Sequence, residues 1–153
     1  MGIAVSQHKY ALDLLKETRM LGCKPTNTPM NYTTKLGTVK GSALVDKGRY
    51  QRLVEKLIYL SHTRLDITFL VHVVSQFMNN PTKEHMKALY HIPRYFKITP
   101  GKGLYFKRTQ KRNIEFFFRC RLGWLHNWSK IILKIFTYVW ENLVLWRSKK
   151  QSV

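Results

Sequence analysis

The run Thr99-Pro100-Gly101-Lys102-Gly103 divides the chain into two textures, and any fold open to this sequence must respect that divide. Before it, apolar residues recur every three to four positions. After it, short aromatic and β-branched runs alternate with turn residues. One proline and two glycines within five residues continue neither a helix nor a central strand. The expectation is an α+β chain, with a helical part over residues 1–100 and a short, incomplete β-rich part over 101–153.

Within the helical part, Ala11, Leu14, Leu15 and Thr18 predict a first helix after Ser6, with Gly22 as its stop. Residues 23–45 read as loop, punctuated by Pro25, Pro29, Gly37 and Gly41. Asp46 is placed to cap a second helix. Tyr50, Leu53, Val54, Leu57 and Ile58 form its apolar face, while Lys47, Arg49, Arg52 and Lys56 face outward. Ile67, Leu70, Val71, Val74, Phe77 and Met78 predict a third helix, ended by Asn79-Asn80-Pro81. Thr82 caps a fourth, running through Met86, Leu89 and Tyr90. Pro93 falls inside it, where a missing N–H and a ring clash cost about 3 kcal/mol and predict a kink or an end. Past the divide, Leu104–Lys107 and residues 113–117 predict strands around a basic turn at Lys111-Arg112. Residues 136–140 and 143–147 predict a hairpin about Glu141-Asn142.

Charge limits the partners. Against 27 Lys+Arg stand 8 Asp+Glu, a formal net charge of +19, so the surface attracts polyanions. A 44% apolar content excludes a disordered basic tail. The apolar stretches 67–74 and 131–140 are too short to span a bilayer and are broken by His72 and Lys134. No signal-peptide pattern is visible. Met1-Gly2-Ile3-Ala4-Val5-Ser6 fits a loose myristoylation pattern, but one acyl chain anchors only marginally, and no membrane partner is expected. Cys23 and Cys120 make neither a disulfide framework nor a zinc set, which fits a reduced intracellular setting. In such a setting the Asn-x-Ser/Thr triplets at Asn31 and Asn127 carry no glycan.

The chemistry-bearing residue types do not converge. The acids are Asp13, Glu17, Asp46, Glu55, Asp66, Glu84, Glu115 and Glu141. The close pair Asp13/Glu17 sits beside Lys9 and Lys16 on a helix face, unlike the carboxylate clusters that hold catalytic metals. His8, His62, His72, His85, His91 and His126 lack ligand spacing, and His72 reads as a hydrogen-bonded core residue. No phosphate loop or nucleophile motif occurs. The expectation is no catalytic residue, no metal, no cofactor and no small-molecule substrate. Basic and aromatic residues do interleave, at Arg94-Tyr95-Phe96-Lys97, Tyr105-Phe106-Lys107-Arg108 and Trp146-Arg147-Ser148-Lys149-Lys150. Stacking faces beside phosphate-seeking charges suit nucleic acid. Equally, such aromatics can be core and such cations solvated.

A series of motifs goes further. Val5-Ser6-Gln7-His8-Lys9-Tyr10-Ala11-Leu12-Asp13-Leu14-Leu15-Lys16-Glu17 resembles the segment after the reverse-transcriptase palm in Ty1/copia-type retrotransposon polyproteins. So do Gly48-Arg49-Tyr50-Gln51-Arg52-Leu53-Val54 and Lys56-Leu57-Ile58-Tyr59-Leu60-Ser61-His62-Thr63-Arg64. Val73-Val74-Ser75-Gln76-Phe77-Met78, Asn80-Pro81-Thr82, Thr99-Pro100-Gly101-Lys102-Gly103-Leu104 and Trp146 to Val153 continue it in the expected order. Only about 118–137 falls outside the likeness. The resemblance implies a thumb and connection over residues 5 to about 100, which grip the template-primer duplex, then the opening strands of an RNase H domain. It places the palm, with its metal-binding aspartates, before Met1, and an RNase H glutamate beyond Val153. The parent family uses Mg²⁺. Lys56, Arg64, Arg94, Lys97, Lys107 and Arg108 become the candidate contacts to an RNA or DNA duplex, weak and sequence-independent.

The departures bear on catalysis. The family commonly has Gly at Glu55, Pro at Leu65, Leu at Pro93 and Gly at Ile98, so a helix-breaking Pro93 points to relaxed selection. After Glu115 it has Ser-Asp-Ala-Asp-Trp-Ala-Gly, whose aspartate binds metal. Here residues 118–125 read Phe-Arg-Cys-Arg-Leu-Gly-Trp-Leu. The codons TTC AGA TGC AGA CTG GGC TGG CTC permit those residues. Without the first T they read TCA GAT GCA GAC TGG GCT GGC, which restores the family text. A frame shift near Phe118, compensated near Thr137, accounts for this and predicts a poorly ordered segment over 118–137. Three readings follow: a degenerate, catalytically inactive polyprotein fragment with residual nucleic-acid affinity; a small basic nucleic-acid-binding protein; or a secreted RxLR-effector-like protein. No signal peptide and no Arg-x-Leu-Arg tetrad support the last. Sequencing the gene checks the frame shift, which is abandoned if the codons for 118–125 are incompatible with the shifted text.

Overall fold

The two textures become two compact units, Ser6–Gly103 and Met1–Val5 with Leu104–Val153. A computed structural model describes residues 1–29, 36, 43–125 and 128–152, with the backbone alone for 118–125, 128–134 and 147–152. Asn31, Gly37, Gly41, His126 and Asn127 lie outside the described residues, as do the side chains of Arg119, Cys120, Arg121, Trp124 and Trp128. Helices come first and most strands later, so the chain is α+β.

The helical unit holds α1 (His8–Glu17), α2 (Lys47–Ser61), α3 (Leu65–Ser75) and α4 (Lys83–Phe96). Helix α1 ends five residues before the predicted stop at Gly22. The Thr18 hydroxyl donates to the Leu14 carbonyl at 2.8 Å, and Arg19 turns into the left-handed region at φ 57°. Its N–H then reaches the Lys16 carbonyl at 2.9 Å, and that of Met20 reaches Leu15 at 2.8 Å. This is a Schellman closure, sealed by the buried Leu15 and Met20, with arginine where glycine is usual.

Asp46 caps α2 as predicted, its carboxylate accepting the Arg49 N–H at 3.1 Å. Tyr50, Leu53, Val54, Leu57 and Leu60 are buried, but Ile58 is exposed. One residue is a step of about 100° around a helix, which carries Ile58 off the face centred near Leu57. The Tyr50 hydroxyl donates to the Val74 carbonyl at 2.8 Å and ties α2 to α3; burial pushes its pKa up. Helix α3 buries Ile67, Leu70, Val71 and Val74. Phe77 and Met78 lie past its end and pack half-buried on the same core. His72 is half-buried, as predicted, with its Nε2 3.5 Å from Gln76 Nε2.

Pro93 neither kinks α4 to an end nor stops it: the helix runs to Phe96, and the Lys97 N–H bonds the Pro93 carbonyl at 3.1 Å. A proline this close to the C-terminus removes one backbone bond. Burial of Ile92, Pro93 and Phe96 offsets that loss. At the other end the Thr82 N–H donates to His85 Nδ1 at 3.1 Å, and Phe77 stacks on that imidazole.

In the second unit β1 (Gly2–Val5), unforeseen from the sequence, pairs antiparallel with β2 (Leu104–Lys107), from Gly2↔Lys107 to Val5↔Leu104. A Cβ at Gly2 would fall 2.7 Å from the Phe106 carbonyl oxygen, so this approach needs glycine. A second sheet has the order β3-β4-β5, with β3 at Ile114–Leu125, β4 at Trp128–Val139 and β5 at Asn142–Ser152. Its ladders are antiparallel, with an irregularity between Thr137 and Tyr138. These strands outrun the predicted ones, and the described backbone of 118–137 is paired within β3 and β4. The added residues of β3 and β4 include Phe118, Trp124, Trp128, Ile131, Ile132 and Ile135, types that favour extended backbone whatever their frame. The final turn falls at Trp140-Glu141, one residue before the predicted Glu141-Asn142.

Replacing Arg19 by Gly removes the side-chain clash of the left-handed position without touching the core. Urea unfolding should show a gain of roughly 0.5–1 kcal/mol; a loss would mean the arginine side chain stabilises the turn.

Candidate nucleic-acid interface

The outward face of α2 gathers the positive charge that charge counting anticipated. Arg49, Arg52 and Lys56 recur at intervals of three and four, which puts them in one row along about 10 Å of helix. With Leu14 and Glu17 of α1, Thr18 just past its end and Tyr90 of α4, they line a groove of about 220 Å³. The Arg49 guanidinium carbon sits 5.8 Å from the Tyr90 ring centroid, within cation–π range. Lys56 pairs with Glu17, so its charge is partly answered inside the chain. Arg49 and Arg52 are exposed.

The other candidates divide sharply. Arg64 cannot be a surface contact, because it is 1% exposed. Its Nε and Nη2 donate to the two Asp66 carboxylate oxygens at 2.9 and 2.8 Å, and Nη1 and Nη2 donate to the Thr99 carbonyl and hydroxyl. Proximity in sequence to the α3 cap draws the guanidinium inward, which exposure rules for arginine do not foresee. Burial pushes the Asp66 carboxyl up, but hydrogen bonds and charge from Arg64, with Lys102 at 3.3 Å, outweigh it and hold its pKa below the usual value. Lys97 is half-buried and spends its ammonium on the carbonyls of Leu21 and Cys23. Arg94 is exposed on α4. Lys107 and Arg108 belong to the other unit, at and just past the end of β2, and are exposed there.

Of the six sequence candidates, then, Lys56 lies in the groove, Arg94 is exposed on the same unit, Arg64 and Lys97 are engaged within it, and Lys107 and Arg108 belong to the other unit. Arg49 and Arg52, assigned outward but not chosen, are the residues that join Lys56. Their spacing on one helix was the signal that could have selected them. Among the described residues, no group of three His, Cys, Asp or Glu side chains converges. Asp66, the acid beside the core, is consumed by two cations.

Comparison with known proteins gives the class of this sequence. The chain is 36% identical over 153 residues to the retrovirus-related Pol polyprotein from transposon RE1 of Arabidopsis thaliana, covering 99% of itself and 10% of that protein. It is 38% identical over 109 residues to the corresponding polyprotein from transposon TNT 1-94 of Nicotiana tabacum, covering 67% of itself and 8% of that protein. An uncharacterized mitochondrial protein of Arabidopsis thaliana is 32% identical over 152 residues, and the chain covers 62% of it. No protein-family profile matches, and no solved structure does. The chain is thus similar over nearly its whole length to retrovirus-related Pol polyproteins of Ty1/copia-type transposons, and it spans about a tenth of the length of the RE1 relative.

Asp66→Asn leaves the buried Arg64 charge short of its partner. It should cost about 3 kcal/mol in urea unfolding at neutral pH. A carboxylate whose folded pKa is depressed adds stability above its ordinary pKa, near 3.8, and loses it as pH falls through the folded value. The gap between wild type and variant should therefore be full above pH 3.8 and narrow below it. A gap independent of pH would show that the charge plays no part.

Proposed function

We propose that this chain is a retrotransposon-derived polypeptide that holds nucleic-acid duplexes by their phosphates and carries out no polymerisation or hydrolysis itself. The row Arg49, Arg52 and Lys56 beside Tyr90 carries the binding reading. Its length along α2 is of the order of two phosphate spacings on one strand, and neutralising phosphates releases counterions. Nothing in the row reads base edges, so binding is sequence-independent. The likeness of residues 5 to about 100 to a thumb and connection agrees with this task, since those parts grip template and primer. Residues 101–153 then correspond to the opening of an RNase H domain.

Inactivity is supported by the acids. Metal-assisted phosphoryl chemistry needs carboxylates converging on divalent ions. The metal-binding aspartate of the family's RNase H strand is replaced within Phe118 to Trp124 by a sequence containing Arg119 and Arg121. Two cations there disfavour a divalent ion at that place.

Titration of a labelled blunt duplex by the full chain, read by anisotropy across a salt series, tests the binding. Arg49→Ala with Arg52→Ala should weaken binding alike for all sequences and flatten the log–log salt slope by about 2. An unchanged slope would move the interface elsewhere. In the same preparation, Mg²⁺- or Mn²⁺-dependent cleavage of an RNA–DNA hybrid above buffer would end the inactivity reading.

A further inference from the structure

The β-rich unit holds a second feature, which the duplex reading does not use. A half-open pocket of about 710 Å³ lies against the Trp140-Glu141 turn. Phe106, Trp140 and Val144 give it apolar walls, and Lys107, Arg108 and Arg112 give it a cationic rim. None of the ion pairs among the described residues involves those three cations. The one acid of the turn, Glu141, is answered by Lys111 at 2.7 Å.

The turn itself is strained. Trp140 and Glu141 both adopt positive φ, at 53° and 63°, in a two-residue hairpin that normally takes Asn-Gly. Three hydrogen bonds of 2.9 Å hold Trp140 there. Its N–H donates to the Asn113 carbonyl, and its own carbonyl accepts from Thr109 Oγ1 and Asn142 Nδ2. Asn142 also clasps the backbone of Lys107, accepting from its N–H at 2.6 Å and donating to its carbonyl at 2.8 Å. The result fixes a large aromatic side chain that is nevertheless 52% exposed, beside unpaired cations. Packing covers only about half of this side chain, and strain of this kind gathers at binding sites.

We infer that this pocket takes a single-stranded stretch of RNA or DNA, one unpaired base stacking on Trp140 while the flanking phosphates meet Arg108 and Arg112. Charge complementarity selects the occupant: an apolar floor under a rim of three unanswered cations matches a base carried on a phosphate chain. In a duplex the base faces are covered by neighbouring pairs, so a paired strand offers Trp140 nothing to stack on. The site is therefore distinct in residues and in preference from the α2 row.

The test uses the full chain at moderate salt, with a short labelled oligothymidylate and a blunt duplex as separate probes. Trp140→Asn combined with Glu141→Gly installs the pair that such a turn favours, so it keeps the fold and should raise the thermal midpoint. It should also weaken oligothymidylate binding about tenfold, the scale of one base stacked on one aromatic ring, and leave duplex binding unchanged. Trp140→Phe should retain most of the affinity. Arg49→Ala with Arg52→Ala should spare oligothymidylate binding, so a failure of the duplex reading leaves this one standing. Wild-type affinity in the Asn-Gly variant would overturn the proposal. So would tryptophan emission that responds to anionic phospholipid vesicles but not to the oligonucleotide, since the pocket would then be a lipid site.

Discussion

The buried Arg64–Asp66 pair, closed by Thr99, is the constraint around which the helical unit is organised. Arg64 stands where α2 gives way to α3, Asp66 is in the first turn of α3, and Thr99 follows α4. A guanidinium withdrawn from water needs partners for its donors, and here the carboxylate fork and the Thr99 oxygens answer four of its five N–H groups. Apolar packing alone tolerates sliding between helices. A bidentate ion pair with a third partner does not, because a shift of one residue would leave charge buried without a partner. The α2–α3 corner and the end of α4 are thereby held in one arrangement, and Tyr50 repeats the restraint higher on α2 through its bond to Val74.

That arrangement decides which face of α2 is free. With Leu53 and Leu57 turned to the core, Arg49, Arg52 and Lys56 must face out. In a chain of net charge +19, outward cations repel one another, and the unit answers only some of them internally. Lys56 leans on Glu17, Lys87 on Glu84, and Lys97 on two carbonyls. What is left over on Arg49 and Arg52 is potential available to a polyanion.

The β-rich unit is held by different means. Backbone pairing supplies its order, from the β1–β2 ladder to the long hairpins of β3, β4 and β5. Among the described side chains, Phe116, Phe117, Val144 and Leu145 remain exposed on it. In the helical unit Pro93 is tolerated too, absorbed by α4 in its last turn at the loss of one hydrogen bond.

The local rules of the chain were written plainly in its sequence. The divide at Thr99–Gly103, the cap at Asp46, the apolar stripes of α2 and α3 and the family likeness all depend on neighbours within a few positions, where the 3.6-residue and two-residue periods speak directly. Lys56, with Arg52 and Arg49 four and seven residues before it on the same stripe, was legible in the same way. What lay beyond reach depended on residues far apart in the chain. Gly2 pairs with Lys107, Lys97 meets Leu21, and Arg64 meets Thr99, and no periodicity announces such partners. Arg64 therefore looked like a surface contact until the fold buried it, and Trp140 looked like a strand end until the β4–β5 register made it a turn. Charge type and local period belong to the sequence; whether a given cation is a strut or an open contact is settled only by which distant oxygen the tertiary structure brings within 3 Å of it.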